Sequence, residues 1–354
     1  MKTYRQLYAQ VCDFENICLA YYKARAGKRK FAGVAQFEYA QEDELLKLRD
    51  ELRAETWQPG KYHSFYIHDP KKRLISAAPF RDRVVHHALV NVIEPIWESR
   101  FIHDTYANRV GKGTHSALDR AQEFSKRWRY VLQCDLKQFF PSIDHAILHE
   151  TLARYIGDDS TLRLCERIIG SGKGVLNEEY EMAWFAGDDL TAALRPRGLP
   201  IGNLTSQFWA NVYLNRFDHF VKRDLKCASY VRYVDDFLLF SDDKAQLHTW
   251  RAMIIEQLAA LRLTLHESKA QVVPVNSGIP FLGFRVFPTH RRLKQRKGIH
   301  FQRRFKSMLH QLAEGDLSID QLHASVRGWI NHVRYGDTYG LRRAVLGNSV
   351  LQWA

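Results

Sequence analysis

Apolar residues Val84, Leu89, Val92 and Ile96 recur at helical spacing through FRDRVVHHALVNVIEPIWESRF and predict a helix, preceded by short β-like pieces in FYIHDPKKRLISA. RYVLQCD, residues 129–135, predicts a buried strand ending in an acid. PSIDHAILHETLARYI then predicts a helix with Ser142 as N-cap and Ile143, Ile147 and Leu152 turned inward. A polar stretch with Gly170, Gly172, Gly174 and Gly187 leads to the turn RGLPIG and a second long amphipathic helix, NLTSQFWANVYLNRFDHFVK. YVRYVDDFLLF reads as two β arms around two aspartates. In AQLHTWRAMIIEQLAALRL, Leu247, Trp250, Ile254, Leu258 and Leu261 share one face of a third helix. TLHESKAQVVPV and IPFLGFRVFP predict further strands, and the remainder is basic and then helical. This order predicts an α+β layer with helices under one antiparallel sheet, where acids from separate strands can meet. No repeat, low-complexity tract or linker divides the chain, so subdomains of one body are expected.

The chain has 354 residues, 45% of them hydrophobic, which is enough for a sizeable core and excludes a disordered composition. Charge narrows the partners: 52 Lys and Arg against 39 Asp and Glu give +13, and the pI is near 9.5. Such a field favours a polyanion, nucleic acid first, with a merely basic protein as the ordinary reading. The cluster Lys23, Arg25, Lys28, Arg29 and Lys30 is either a solvated helix end or a nucleic-acid contact. Cys12, Cys18, Cys134, Cys165 and Cys227 form no C-x-x-C pair, so no zinc ribbon or disulfide framework is expected. No apolar run reaches roughly 18 residues and the N-terminus lacks a signal pattern, which points to the cytoplasm and away from a membrane.

Asp-Asp occurs four times, at 158–159, 188–189, 235–236 and 242–243. Three of these follow a turn-forming Gly or Ser and read as solvated loop acids. Only Asp235-Asp236 is flanked on both sides by strand formers, Tyr233-Val234 and Phe237-Leu238-Leu239-Phe240. A tight hairpin prefers Asn-Gly or Asp-Gly, so two acids at an apolar tip run against propensity and mark either a metal site or an unusual turn. Asp135 ends its own apolar strand, where a lone acid is as readily a cap. Clustered carboxylates suit phosphoryl transfer: two divalent cations about 4 Å apart activate the attacking oxygen and stabilise the leaving one.

At these residues the sequence resembles the reverse transcriptase family over most of its length. The ordered blocks are KKRLISAAPFRDRVVHHALVNVIEPIWESRFIHDTYANRVGKGTHSAL, VLQCDLKQFFPSIDH, GLPIGNLTSQFWANVYLN, YVRYVDDFLLF, LTLHESKAQVV and GIPFLGFRVFP. The resemblance implies a right-hand polymerase: N-terminal extension and fingers at 1–128, palm at 129–285 with an insertion at about 157–197, and a helical thumb at 286–354. It implies RNA-directed DNA synthesis from an RNA template, a DNA or RNA primer and dNTPs. Asp135, Asp235 and Asp236, with the carbonyl of Leu136, would hold two Mg²⁺ ions, Mn²⁺ being the substitute. Lys71, Lys72 and Arg73 match the grip on the incoming triphosphate, against a solvated basic turn. Phe140 matches the aromatic gate at C2′ of the sugar, while Phe139 is the better candidate for core packing. Ile201 and Gln207 fall in the motif beside the nucleotide, and Lys269 matches the lysine that protonates departing pyrophosphate. Arg285 to Lys306 holds nine basic residues and no acid, and its Arg291, Arg292, Lys294, Arg296, Lys297, Arg303 and Arg304 are expected to track the template–primer duplex.

Among bacterial members the sequence is most similar to the enzymes of diversity-generating retroelements. Ile201-Gly202-Asn203-Leu204-Thr205-Ser206-Gln207 matches their motif, whereas group II intron and retroviral enzymes carry Gln first and Pro last. AGKRK and SVRGWINHVRYGDTYGLR resemble that clade too. This implies error-prone cDNA synthesis and a further partner, a small accessory protein or a structured non-coding RNA. No room is left after the thumb for a DNA-binding or endonuclease domain, so intron mobility is not expected. Val234 stands where many of that clade carry Met and the 170–197 segment is long, which keeps a stand-alone or antiviral-defence enzyme open. A non-catalytic RNA-binding scaffold and an RNA-copying polymerase are the readings from other classes, opposed by the intact carboxylates and by Phe140.

Overall fold

The computed structural model describes residues 3–68 and 72–347. The chain opens with α1 (Leu7–Val11), α2 (Phe14–Arg25), α3 (Ala32–Tyr39) and α4 (Gln41–Arg53), then the strands β1 (His63–Ile67) and β2 (Arg73–Ala77). Next come α5 (Phe80–Glu98), α6 (Thr114–Arg127), β3 (Tyr130–Lys137), α7 (Phe139–Ser142), α8 (His145–Ala153), α9 (Asp159–Ser171) and α10 (Leu204–Arg223). After these are β4 (Tyr230–Tyr233), β5 (Asp236–Ser241), α11 (Lys244–Ala260), β6 (Thr264–Leu265), β7 (Gln271–Pro274), β8 (Ile279–Phe281), β9 (Phe284–Val286) and β10 (Arg291–Leu293). The helices α12 (Gln295–Ala313), α13 (Ile319–Val333) and α14 (Tyr339–Leu346) complete the described chain. Two compact units result, one of Met1–His103, Leu136–Lys226 and Ala252–His266, the other of Asp104–Asp135, Cys227–Arg251 and Glu267–Ala354.

In the first unit α5 packs against α2 and α10. Val84, Leu89 and Ile96 are buried as their spacing predicts, and Val92 is only half-buried because Ile93 takes the inward position. Expected to be amphipathic, α10 is instead buried on most sides, from Phe208 to Val221, since helices cover more than one of its faces. The β1 and β2 strands form an antiparallel hairpin with Ile67 opposite Arg73. Ser142 does not cap the following helix. Residues 139–142 form a turn of their own, and Asp144 caps α8, accepting from the amides of Ala146 and Ile147 at 2.9 and 3.1 Å. Part of the polar 157–197 stretch is the amphipathic helix α9, whose N-cap Asp158 also accepts from the amides of Leu7 and Tyr8 at 2.7 and 3.0 Å. Asp158 is therefore no solvated loop acid.

The second unit is built on an antiparallel sheet in the order β4, β5, β3, β7. Its apolar positions, among them Val131, Val231, Leu238 and Phe240, pack against Ala117, Leu118, Ala121 and Phe124 of α6. The strand expected to end at Asp135 runs two residues further, because Leu136 and Lys137 find partners in Leu265 and Thr264 of β6 within the first unit. A smaller antiparallel sheet, β8–β9–β10, carries the chain onward. The α12–α14 helices have a core of their own around Phe301, Phe305, Met308, Leu322 and Val345, with Phe301 stacked on Trp329 at 4.1 Å.

Candidate active site

Strand register brings the predicted acids of the second unit together. Asp135 of β3 lies directly opposite Asp236 of β5, and Tyr233 pairs with Asp236 across a two-residue turn, Val234-Asp235. Directly opposed residues have Cβ atoms roughly 4.5–5.5 Å apart, so three carboxylates share one end of the sheet. Val234 takes φ +56°, a left-handed conformation that costs a β-branched residue roughly 1–2 kcal/mol. The turn is held by Arg232, almost wholly buried, which donates to the Val234 carbonyl at 3.0 Å. Tyr233 OH and Thr114 Oγ1 hydrogen-bond at 3.1 Å. Arg232 was not singled out from sequence, and the signal was there: a charge in an otherwise apolar strand.

Burial pushes Asp236 up to about 7, reinforced by the charges of Asp235 and Asp135 and opposed by Lys294 and Lys269. Lys269 donates to Asp135 Oδ2 at 2.5 Å. Lys294, expected only as a contact to nucleic acid, thus also acts electrostatically on the carboxylates. Among the described residues no three His, Cys, Asp or Glu side chains are grouped so that they could hold a metal ion as they stand. The donor chemistry nonetheless suits a hard cation: oxygen ligands only, and an acid that its neighbours and burial disfavour as an anion without positive charge nearby.

The residues expected at the nucleotide lie in the first unit, where main-chain and amide hydrogen bonds tie them together. The Ser76 amide donates to the Ile201 carbonyl at 2.8 Å, and the Leu199 amide to the Phe140 carbonyl at 3.0 Å. Asn203, at the N-cap of α10, makes no cap with its side chain. It accepts instead from the Ala78 amide at 3.0 Å and donates to the carbonyls of Ser76 and Pro200 at 2.8 and 3.1 Å. This buried amide fastens the Ile201 turn to β2, a role the sequence did not reveal because Asn before a helix looks like an ordinary cap. Gly202 has φ +117°, and a Cβ there would come within 2.9 Å of Ile75 Cγ2. Phe139 is buried and Phe140 half-buried. Lys72 lies 4.1 Å from the Tyr66 ring centre, Arg73 is exposed, and Gln207 is half-buried in the first turn of α10. Lys71 lies outside the described residues.

The other basic runs are more divided than their composition suggests. Arg25 and Arg29 of the N-terminal cluster both pair with Glu38, at 2.9 and 3.3 Å. Arg291 is buried in β10 and paired with Asp119 at 2.5 Å, so it is a structural cation and not a surface contact. Arg296 and Arg303 share an exposed face of α12, opposite Phe301, Phe305 and Met308, while Arg292, Lys294, Lys297 and Arg304 are also exposed. Replacing Arg292, Arg296 and Arg303 by Ala should lower the log–log salt slope of template–primer binding by about 2 to 3. An unchanged slope in a salt titration removes this face from the duplex path.

Comparison with known proteins gives this geometry its context. Residues 67–286, more than half of the chain, match the family model described as reverse transcriptase (RNA-dependent DNA polymerase). Protein YkfC of Escherichia coli (strain K12) is 28% identical over 283 residues, 69% of this chain and 71% of that protein. Group II intron-encoded protein LtrA of Lactococcus lactis subsp. cremoris is 25% identical over 183 residues, 51% of this chain and 28% of that protein. The apo telomerase of Candida tropicalis aligns with a TM-score of 0.49 at 12% identity, over 72% of this chain and 60% of that one. The span matched by the family contains the carboxylate hairpin and the Ile201 turn, and this chain belongs to the reverse transcriptase (RNA-dependent DNA polymerase) family.

Proposed function

We propose that the chain copies RNA into DNA by two-metal nucleotidyl transfer, and that it does so with low fidelity as part of a diversity-generating retroelement. The observation that supports catalysis is the Asp135–Asp236 register beside the Asp235 turn. Asp135, Asp235 and Asp236, with the Leu136 carbonyl, would hold Mg²⁺. When bound, the ions supply positive charge to the attacking and leaving oxygens. Lys269, which donates to Asp135, would give a proton to departing pyrophosphate. Lys72 and Arg73, with Lys71, neutralise the triphosphate through charge-assisted contacts, and Phe140 excludes a 2′ hydroxyl by bulk. Gln207 lies in the motif next to the nucleotide. Primer extension on an RNA template, first with dNTPs and then with NTPs, tests the assignment. Extension with dNTPs alone is expected; extension with neither makes the chain a binding scaffold, and extension with NTPs makes it an RNA-copying polymerase.

Low fidelity is attributed to Ile201. Its carbonyl is fixed to Ser76, so its side chain has a set place, yet offers only apolar contact where a Gln would offer a hydrogen bond. Small displacements are costly in a transfer reaction, so losing a polar tether narrows the rate difference between right and wrong pairs. Ile201→Gln should lower misincorporation on the order of tenfold, read by sequencing cDNA from one template and scoring errors by template base. Coincident error spectra for the two enzymes would remove both the role of Ile201 and its support for retroelement diversification.

A further inference from the structure

We propose that Arg232 is a positioning residue for the candidate active site: it fixes the Val234–Asp235 peptide, and through it the direction in which the Asp235 carboxylate meets a divalent cation. Within the two-metal reading proposed above, on which this role rests, Arg232 touches neither cation nor nucleotide. Its side chain is 1% exposed, so direct contact with a substrate is closed to it.

The β4 strand has little freedom before it reaches the turn. On one edge Arg232 stands opposite Phe237 and Tyr233 opposite Asp236 of β5. On the other edge the Arg232 amide donates to the Asp104 carbonyl at 2.9 Å and the Arg232 carbonyl accepts from the Tyr106 amide at 3.0 Å, with Thr105 and Arg232 forming a parallel bridge. That outer segment is itself anchored. The buried Asp104 carboxylate accepts from Arg120 Nε at 2.9 Å and from Tyr106 OH at 3.1 Å. With the strand paired on both sides, Val234 and Asp235 are the two residues of the hairpin whose conformation the ladder does not set.

Local forces oppose the conformation that Val234 adopts. A φ of +56° is disfavoured for a β-branched side chain, and such strain persists only where the surroundings impose it. Arg232 Nη1 supplies that constraint by donating to the Val234 carbonyl at 3.0 Å, and a charge-assisted bond away from water is stronger than a neutral one. The Val234 carbonyl and the Asp235 amide belong to one planar peptide, so holding the first orients the second. Burying a guanidinium is costly, and a strand whose neighbouring members Tyr230 and Val231 are wholly buried would accept an apolar residue more readily. A cation kept there against that cost, and bonded to the backbone of the turn, acts on the turn.

The test separates cation binding from synthesis. A complex of the protein with an RNA template, a dideoxy-terminated primer and the matching dNTP cannot turn over, and Mn²⁺ bound in it is counted by electron paramagnetic resonance. Single-turnover extension is read separately, per complexed molecule. Arg232→Met fills the space without donors; it should raise the Mn²⁺ dissociation constant about tenfold and slow extension by up to about 100-fold, with little change in the dNTP concentration at half-maximal rate. Arg232→Lys keeps a cation and should lose less, and it serves as the probe if Arg232→Met does not fold. A role confined to packing predicts neither change once only complexed molecules are counted. Val234→Asn reads the strain itself, because Asn adopts positive φ readily, so combining it with Arg232→Met should make the losses several-fold smaller. Wild-type Mn²⁺ affinity and rate in both Arg232 variants, or losses that Val234→Asn does not reduce, overturn the positioning role. Wild-type complexes that bind no Mn²⁺ overturn the two-metal reading, and this role with it.

Discussion

Replacing Asp235 by Asn should reduce DNA synthesis to roughly a thousandth of wild type or less while leaving the fold intact. Asparagine keeps the shape of the side chain and is well tolerated in turns, so the hairpin between Tyr233 and Asp236 should still form. What changes is charge. Asp235 stands next to Asp236, whose pKa is raised first by burial and then by the charges of Asp235 and Asp135. Under the proposed two-metal reading these charges hold a positively charged ligand, and removing one of them should weaken that ligand most. The chain contains a matched control in Asp243, which accepts from the Ala245 amide at 2.8 Å at the start of α11. Asp243→Asn keeps that cap and should extend primers normally. Single-turnover extension together with thermal melting reads both variants. Near-normal extension by Asp235→Asn would sink the metal assignment.

Asp144→Ala should destabilise the first unit by about 3 kcal/mol, a large loss for one substitution. One carboxylate oxygen caps α8 and the other meets Arg195 Nε at 2.8 Å, with Arg262 Nε at 3.8 Å. Arg262 in turn grips Asp188 with two bonds of 2.7 and 2.8 Å. Truncation therefore removes a cap and leaves Arg262, 16% exposed, next to an unbalanced deficit of negative charge. Arg195 is 41% exposed and water screens part of its share. Asp144→Asn keeps the cap and should recover about 1 kcal/mol. Urea denaturation measures the losses, and hydrogen exchange should show residues 180–197 opening in the Ala variant. Identical urea midpoints for wild type and Ala would mean that the 157–197 segment is held elsewhere.

The periodicities that a chain needs to bury its apolar residues were plain in the sequence. Leu247, Trp250, Ile254, Leu258 and Leu261 are all buried, and the hairpin around Asp235-Asp236 forms where the strand formers place it. The anomaly of that acid pair was also legible, because local propensity is a sequence property and a violation of it is visible without coordinates. Partner choice was not legible, since it depends on residues distant in the chain. Asp158 and Asp188 looked like solvated loop acids, and only folding brought the Leu7 and Tyr8 amides and Arg262 to them. Arg291 belonged to a uniformly basic run, and burial beside Asp119 took it out of that run. Asn203 carried the composition of a helix cap, but β2, more than a hundred residues away in the chain, claimed its side chain. A sequence states which groups need partners; hydrogen bonds and ion pairs act over a few ångströms, so only the tertiary structure decides which partners come within reach.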